Sequence, residues 1–221
     1  MDLKDIENLI PEKLFNVLKK TEIKKLRPCQ EKSIKQGMFE NKNLLVCTPT
    51  GSGKTAVAEI ASFTHIFNGT GKAIYIVPLK ALASEKYKEF TQKYGSYCKI
   101  AMATGDLDRQ EEYLGTYDLI ICTSEKLDSL IRHHTPWLNQ VSVVVIDEIH
   151  LINDPRRGPT LEILITVLKQ VLEKVQIIGL SATIGNPQEL AEWLEAELVI
   201  DFWRPVELKK GVFFKKIIFE K

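Results

Sequence analysis

The sequence predicts a single α/β domain, in which helices cover both faces of a doubly wound, mainly parallel sheet. First, short apolar runs alternate with longer amphipathic segments along the 221 residues. Second, these runs are apolar throughout, which is typical of strands buried on both faces. Third, the chain has no internal repeat, low-complexity segment or Gly/Ser-rich linker. Strands that alternate with helices form parallel sheets through right-handed crossovers, so one such domain is the simplest interpretation.

The elements follow one another in a regular order. A helix is expected over 11–20, where Leu14, Val17 and Leu18 share one face, and a second helix begins at Pro28. Strands are expected at 43–47, 73–77, 99–103, 118–122, 142–146 and 176–180. Further helices are expected at 54–67, 79–93, 124–132, 160–173 and 187–195.

The end of the sequence has a different pattern. Residues 206–221 form two extended runs in which apolar residues mix with lysine pairs. Two interpretations are equally supported, a strand that leaves the domain and a hairpin that closes it. The predicted division is therefore a domain over 1–205, followed by a strand or hairpin over 206–221.

Composition excludes several classes of protein. A hydrophobic content of 44% and an aromatic content of 8% suit a packed core, which argues against disorder. The net charge of +1 leaves no general basic surface, so any nucleic-acid site must be local. The four cysteines are far apart and form no C-x-x-C pair, which predicts buried free thiols in a reducing cytoplasm. No apolar run approaches the roughly 18 residues of a membrane span, so a soluble protein without a membrane partner is expected.

A glycine-rich loop predicts a phosphate site. The stretch "VCTPTGSGKT" (46–55) runs from an apolar strand into glycines and then lysine and threonine. Gly51 and Gly53 let backbone N–H groups turn inward around an anion, toward which the next helix directs its positive end. Lys54 can then reach the terminal phosphates, and the Thr55 hydroxyl can bind Mg²⁺. The usual first glycine of such loops is a threonine here. The predicted phosphate-site residues are Thr48, Pro49, Thr50, Gly51, Ser52, Gly53, Lys54 and Thr55.

A second stretch predicts the metal ligand and the base. "VVVIDEIH" (143–150) is an apolar strand that ends in two adjacent carboxylates. Asp147 can hold the hydration shell of Mg²⁺, and Glu148 can orient a water molecule and accept its proton. Adjacent carboxylates are often only a solvated helix start. The apolar strand before them and the lysine loop upstream favour the catalytic interpretation.

Together with "GLSATIG" (179–185), these stretches resemble the first motor domain of superfamily 2 helicases. The resemblance covers nearly the whole chain in the family's order and implies a RecA-like P-loop fold. Four more stretches look like the family's strand-contacting and adenine-reading motifs: "VPLKALASEKYKEF" (77–90), "TGD" (104–106), "TSEKLDSLIR" (123–132) and "LRPCQ" (26–30).

Two longer stretches narrow the resemblance. "DEIHLINDPRRGPTLE" (147–162) and "GNPQELAEWLEAELVIDFWRPVEL" (185–208) look like the Ski-like DEIH-box branch, closest to the archaeal fork-repair (Hjm-type) DNA helicases. That likeness implies ATP-dependent, 3′-to-5′ unwinding of branched or fork DNA in repair, with single-stranded or branched DNA as the partner. RNA helicases belong to the same branch, so RNA remains an alternative substrate.

The resemblance assigns roles residue by residue. Gln30 would contact the adenine edge, while Lys54, Asp147 and Glu148 would be catalytic, with Thr55 and Asp147 holding Mg²⁺. The residues that couple ATP to the neighbouring domain would be His150, Ser181 and Thr183. The nucleic-acid contacts would be Lys80, Thr104, Thr123 and Arg157. In the alternative interpretation, His150 is a capped surface histidine, and Ser181 and Thr183 only cap strand ends. Lys80 and Arg157 are then solvated cations.

The resemblance also implies a partner. Helicases of this superfamily close a second motor domain over ATP, and that domain supplies arginine fingers. This sequence contains no Gly-Arg dipeptide and has no arginine pair after Ser181. We therefore expect half of a motor, whose partner is the second motor domain. A P-loop kinase for small molecules and a non-hydrolysing nucleic-acid-binding module are the competing interpretations.

Overall fold

The computed structural model describes residues 1–21, 24–105, 111–172 and 174–207, together with the backbone of 211–214 and 217–220. Seven strands form the main sheet, in the order β3-β4-β2-β5-β6-β1-β7, and every neighbouring pair is parallel. The strands are β1 Leu44–Cys47, β2 Lys72–Val77, β3 Ile100–Ala103, β4 Leu119–Thr123, β5 Val141–Ile146, β6 Gln176–Ser181 and β7 Glu197–Ile200. The predicted doubly wound sheet is confirmed.

Seven α-helices cover this sheet within the described part of the chain. They are α1 Glu12–Lys20, α2 Pro28–Lys35, α3 Lys54–Asn68, α4 Lys80–Tyr94, α5 Ser124–Arg132, α6 Gly158–Val171 and α7 Pro187–Leu194. Short 3-10 turns lie at Leu3–Ile6, Met38–Glu40, Glu112–Thr116, Pro136–Gln140 and Ile149–Asn153. The sequence did not predict these turns, since three to five residues carry too little periodicity.

The strands divide their side chains between two cores. In β2, Tyr75 and Val77 point into a core built with α1, α2, α3 and α4. Ile74 and Ile76 point into a second core built with α5, α6 and α7. Because successive side chains of a strand face opposite sides, a sheet covered twice needs apolar residues at every position.

One strand was missing from the prediction. β7 is an edge strand, parallel to β1, with Leu44 opposite Glu197. The strand begins with an exposed glutamate, and only Val199 of its four residues is buried, so its apolar run is shorter than those of the inner strands. The short, half-exposed pattern explains why the sequence did not reveal it.

The cysteines agree with the prediction except in one detail. All four are free, and Cys29, Cys47 and Cys122 are buried. Cys98 is only half-buried, because it lies beyond the end of α4, next to the loop that leads to β3. Among the described helices, none is both long enough and apolar enough to cross a membrane.

Two further strands near the end of the chain form a separate two-stranded sheet. β8 Gly211–Phe214 and β9 Ile217–Glu220 pair in antiparallel register, with Gly211 opposite Glu220. Residues 208–210, 215–216 and 221 lie outside the described part of the chain. The proposed role of 206–221 as a connection to a second domain stays a prediction.

Candidate functional site

The phosphate loop joins β1 to α3 at the carboxyl edge of the sheet, and its glycines are required there. Gly51 and Gly53 have φ angles of 80° and 99°, in the left-handed region that other residues rarely adopt. A Cβ atom on Gly53 would lie 2.7 Å from Nε2 of Gln30 and 2.8 Å from Cδ of Arg27. Helix α3 begins at Lys54, so its N-terminus points at the loop. This is the geometry of an anion site.

Hydrogen bonds within the loop fix its shape. The hydroxyls of Thr48 and Ser52 are buried and lie 2.7 Å apart. The ammonium group of Lys54 donates to the carbonyl oxygens of Thr48 at 2.7 Å and Pro49 at 3.3 Å. A phosphate is a stronger, charged acceptor for the same ammonium group. The loop therefore holds Lys54 in place until an anion replaces those carbonyls.

Gln30, which the sequence placed at the adenine edge, packs against this loop and is 4% exposed. Its Oε1 accepts the backbone N–H of Arg27 at 2.8 Å, and its Nε2 donates to the carbonyl of Gly53 at 3.2 Å. Contact with adenine stays a prediction, since the protein already occupies both polar groups of this side chain.

Arg27 is a loop contact that the sequence did not reveal. Its Nη1 donates to the carbonyl of Gly51 at 2.6 Å, and its guanidinium lies 5.6 Å from the ring centroid of Trp203. Because Arg27 and Trp203 are far apart in sequence, only the folded structure brings them together. The pair ties the segment after β7 to the phosphate loop.

Asp147 and Glu148 follow β5 at the same edge. Oδ1 of Asp147 accepts the backbone N–H of Glu148, and Oδ2 accepts the hydroxyl of Tyr75, each at 3.0 Å. Burial raises the pKa of Asp147, and the Tyr75 hydrogen bond opposes that rise. Burial lowers the pKa of Lys54, and the charges of Glu148 and Asp147 oppose that change. The lysine and the two carboxylates therefore act on one another across a single site.

Glu148 has a strained backbone, with a φ angle of 53°. Non-glycine residues seldom adopt this left-handed conformation, and such strain is concentrated at functional sites. The conformation turns the chain sharply between β5 and the following 3-10 turn. It places the predicted base directly after the predicted metal ligand.

The donor set at this edge suits Mg²⁺ bound to a nucleotide. Thr55 is the second residue of α3, and Asp147 offers one carboxylate across the site. In the described residues, no group of three or more Asp, Glu, His or Cys side chains could hold a metal alone. Mg²⁺ usually keeps its waters and binds one or two carboxylates together with substrate phosphates. The residues present fit that mode.

The predicted coupling residues adjoin these groups. Nδ1 of His150 lies 3.3 Å from Oε2 of Glu148. Ser181 is buried at the end of β6, and its carbonyl accepts the N–H of Thr48 at 3.2 Å. Thr183 is exposed beyond it. The structure therefore places His150 beside the base without a hydrogen bond, bonds Ser181 to the phosphate loop, and leaves Thr183 on the surface.

The four predicted nucleic-acid residues come together. Lys80, Thr104, Thr123 and Arg157 all line one cavity of about 310 Å³ beyond the ends of β2, β3 and β4. Arg157 also lines a small pocket that contains Asp147 and Glu148. The cavity and the catalytic carboxylates are therefore neighbours. Asp106, the last residue of "TGD", lies outside the described part of the chain.

The fold and this site define a P-loop nucleotide-binding domain of the RecA-like kind. A family model described as DEAD/DEAH box helicase matches residues 27–190. The chain belongs to this family. The resemblance inferred from the motifs is confirmed, and the small-molecule kinase alternative is excluded.

Known relatives carry the same domain within longer chains. ATP-dependent DNA helicase Hel308 of Methanocaldococcus jannaschii is 56% identical over 214 residues, which cover 94% of this chain and 18% of that protein. Hel308 of Pyrococcus abyssi is 53% identical over 210 residues, which cover 95% of this chain and 29% of that protein. The chain thus spans less than a third of the length of these curated relatives.

A solved structure agrees with this assignment. The crystal structure of DUF1998 helicase MrfA bound to DNA and AMPPNP matches with a TM-score of 0.76 and 28% identity. The match covers 87% of this chain and 29% of that chain.

Proposed function

We propose that this chain is the ATP-binding first motor domain of an ATP-dependent DNA helicase. In the complete protein it would drive 3′-to-5′ unwinding of branched or fork DNA in repair. The observation that carries this proposal is the phosphate loop itself, in which the left-handed Gly51 and Gly53 lead into Lys54 at the N-terminus of α3, at the same edge of the sheet as Asp147 and Glu148. This arrangement suits a nucleoside triphosphate whose terminal phosphate lies between a cation and a general base.

Each residue of the site then has a separate role in ATP binding and hydrolysis. The loop amides and Lys54 would hold the phosphates, while Thr55 and Asp147 would hold Mg²⁺ and its waters. Mg²⁺, when bound, neutralises charge that develops on the transferred phosphoryl group. Glu148 orients the attacking water and accepts its proton. The partial exposure of Glu148 leaves room for that water.

DNA is the proposed strand because the named relatives are DNA helicases. The cavity that contains Lys80 and Arg157 would hold the strand through its phosphates, without regard to base sequence. RNA helicases occur in the same branch, so matched DNA and RNA strands form the two arms of a binding test.

A reconstitution experiment tests the proposal. We expect the isolated chain to bind Mg-ATP but to hydrolyse it slowly, because an arginine finger contributes about 10³- to 10⁵-fold in rate. A second motor domain added in trans should partly restore turnover, more so with single-stranded DNA present to bridge the halves. The readout is phosphate release, with Glu148→Gln as the control. Glu148-dependent hydrolysis at helicase rates by this chain alone would contradict the argument that a second motor domain supplies the arginine finger. Failure to bind Mg-ATP would leave only a nucleic-acid-binding module.

A further inference from the structure

We propose that Tyr75 is a positioning residue: its hydroxyl fixes the Asp147 carboxylate in the orientation that would hold Mg²⁺ and its waters. This inference rests on the proposed function, since it concerns the same metal site. It adds a residue that lies outside the phosphate loop and the "DEIH" stretch.

Tyr75 is placed for this role by the sheet. It is the only polar residue among 73–77, the otherwise apolar part of β2, and it is fully buried. In the parallel register it lies opposite Val145, two residues before Asp147. Side chains two residues apart on a strand share a face, so Asp147 leaves β5 on the side where Tyr75 points.

The packing around Tyr75 restricts its ring. The ring of Phe90 meets it edge-on, with centroids 5.5 Å apart and planes at 66°. Within the described part of the chain, its hydroxyl has a single hydrogen-bond partner, Oδ2 of Asp147. A tyrosine hydroxyl is protonated at neutral pH, so it can donate to the carboxylate. A buried hydroxyl without a partner is costly, which keeps the two side chains together.

The carboxylate is held at both oxygens. Tyr75 donates to Oδ2, and the Glu148 backbone donates to Oδ1. An ionised carboxylate has about four acceptor sites, so each oxygen keeps a lone pair for metal-bound water. Rotation of the group would break both bonds. Partners of metal-binding groups act in this way, and their loss typically lowers metal affinity 10- to 100-fold.

The same core contains a matched control. Tyr94 is fully buried, and its hydroxyl donates to the Glu59 carboxylate at 2.6 Å. Its ring stacks on Phe63, which in turn packs against Phe90. Tyr94 thus makes the same kind of buried bond in the same cluster, but to a carboxylate that is outside the metal site. A merely structural tyrosine should behave like Tyr94.

The test measures binding of a fluorescent, non-hydrolysable ATP analogue to the full 221-residue chain at increasing Mg²⁺. Tyr75→Phe should raise the Mg²⁺ midpoint about tenfold and leave Mg²⁺-free binding unchanged. Tyr94→Phe should leave the midpoint within about twofold of wild type. In an Asp147→Asn background, Tyr75→Phe should cause no further shift, because the group that it orients is gone. Thermal unfolding checks that each variant is folded.

Three results would overturn the proposal. They are an unchanged midpoint in folded Tyr75→Phe, an equal shift in Tyr94→Phe, and an additive shift in the Asp147→Asn background. Wild-type chain that binds the nucleotide with no Mg²⁺ dependence would contradict the metal site and, with it, the positioning role. A chain that binds no nucleotide at all would contradict the proposed function itself, so the two failures are distinguishable.

Discussion

The phosphate loop and the neighbouring strand cavity lie at one edge of the same sheet, yet they are built differently. Around the loop, the side chains of Thr48, Ser52 and Lys54 are already bonded to the protein. In the part of the chain that the structure describes, the side chains of Lys80 and Arg157 make no hydrogen bond or ion pair. The nucleotide site is therefore shaped in advance, whereas the cavity offers unpaired groups to whatever enters it.

This difference suits the two proposed ligands. A nucleotide has one defined shape, so rigid, preformed donors bind it with little loss of freedom. A strand presents repeating phosphates and must be released at each step, which favours exposed cations that any phosphate can pair with. Changes at the loop should therefore affect nucleotide affinity and stability, and changes in the cavity should affect strand binding alone.

The largest expected effect is at Lys54. Lys54→Ala should weaken Mg-ATP binding about 100-fold, since hydrogen bonds to charged groups contribute roughly 1.5–3 kcal/mol each. Glu148→Gln should change affinity less than about twofold, because it removes a base and no phosphate contact. Calorimetric titration of both variants measures the difference. A Glu148→Gln loss as large as that of Lys54→Ala would show that the roles are wrongly divided.

Two buried threonines give a matched pair for stability. Thr48→Val should lower the free energy of unfolding by about 1–3 kcal/mol, since it leaves the buried Ser52 hydroxyl without its partner. Thr123→Val, at the end of β4 in the cavity, should change it by less than about 0.5 kcal/mol and should weaken strand binding. Urea unfolding of the two variants provides the measurement. Equal losses would mean that the cavity is as internally bonded as the loop.

The smallest effects are expected at the two cations of the cavity, the exposed Lys80 and the half-buried Arg157. Lys80→Gln and Arg157→Gln should each weaken strand binding about fivefold for every base sequence and reduce the salt slope by about one. Lys13→Gln removes the same charge from α1, which does not line the cavity, and serves as the control. Fluorescence anisotropy over a salt series reads out both quantities. A loss that depends on base sequence would argue against contact through phosphates.

The sequence predicted the inner strands and the motifs because both depend on local pattern. A strand buried on both faces must be apolar at every position, so β1, β2, β4, β5 and β6 were recognisable. The edge strand β7 is not buried on both faces, so its sequence did not have to be apolar throughout, and the strand was not predicted. "GSGKT" and "DEIH" each place the required chemical groups within a few residues.

Contacts between distant segments could not be predicted in the same way. The bond from Tyr75 to Asp147 depends on β2 lying beside β5, and the sequence alone did not give the order of the strands. The contact of Arg27 with Trp203 likewise needs the chain after β7 to return to the loop. One signal was available, since a tyrosine inside an apolar strand requires a hydrogen-bond partner.

The order of the strands also determines when the site can form as the chain is made. β1 carries the phosphate loop, but it lies between β6 and β7. Leu44 therefore cannot pair until Ile178 and Glu197 have been synthesised. By contrast, β2, β4 and β5 pair with strands that lie much closer in sequence. Contacts across long sequence separations form slowly, because closing the intervening chain costs entropy. Within this domain the phosphate loop is thus synthesised early but is positioned late, and ATP binding reports that β1 has paired with β6 and β7.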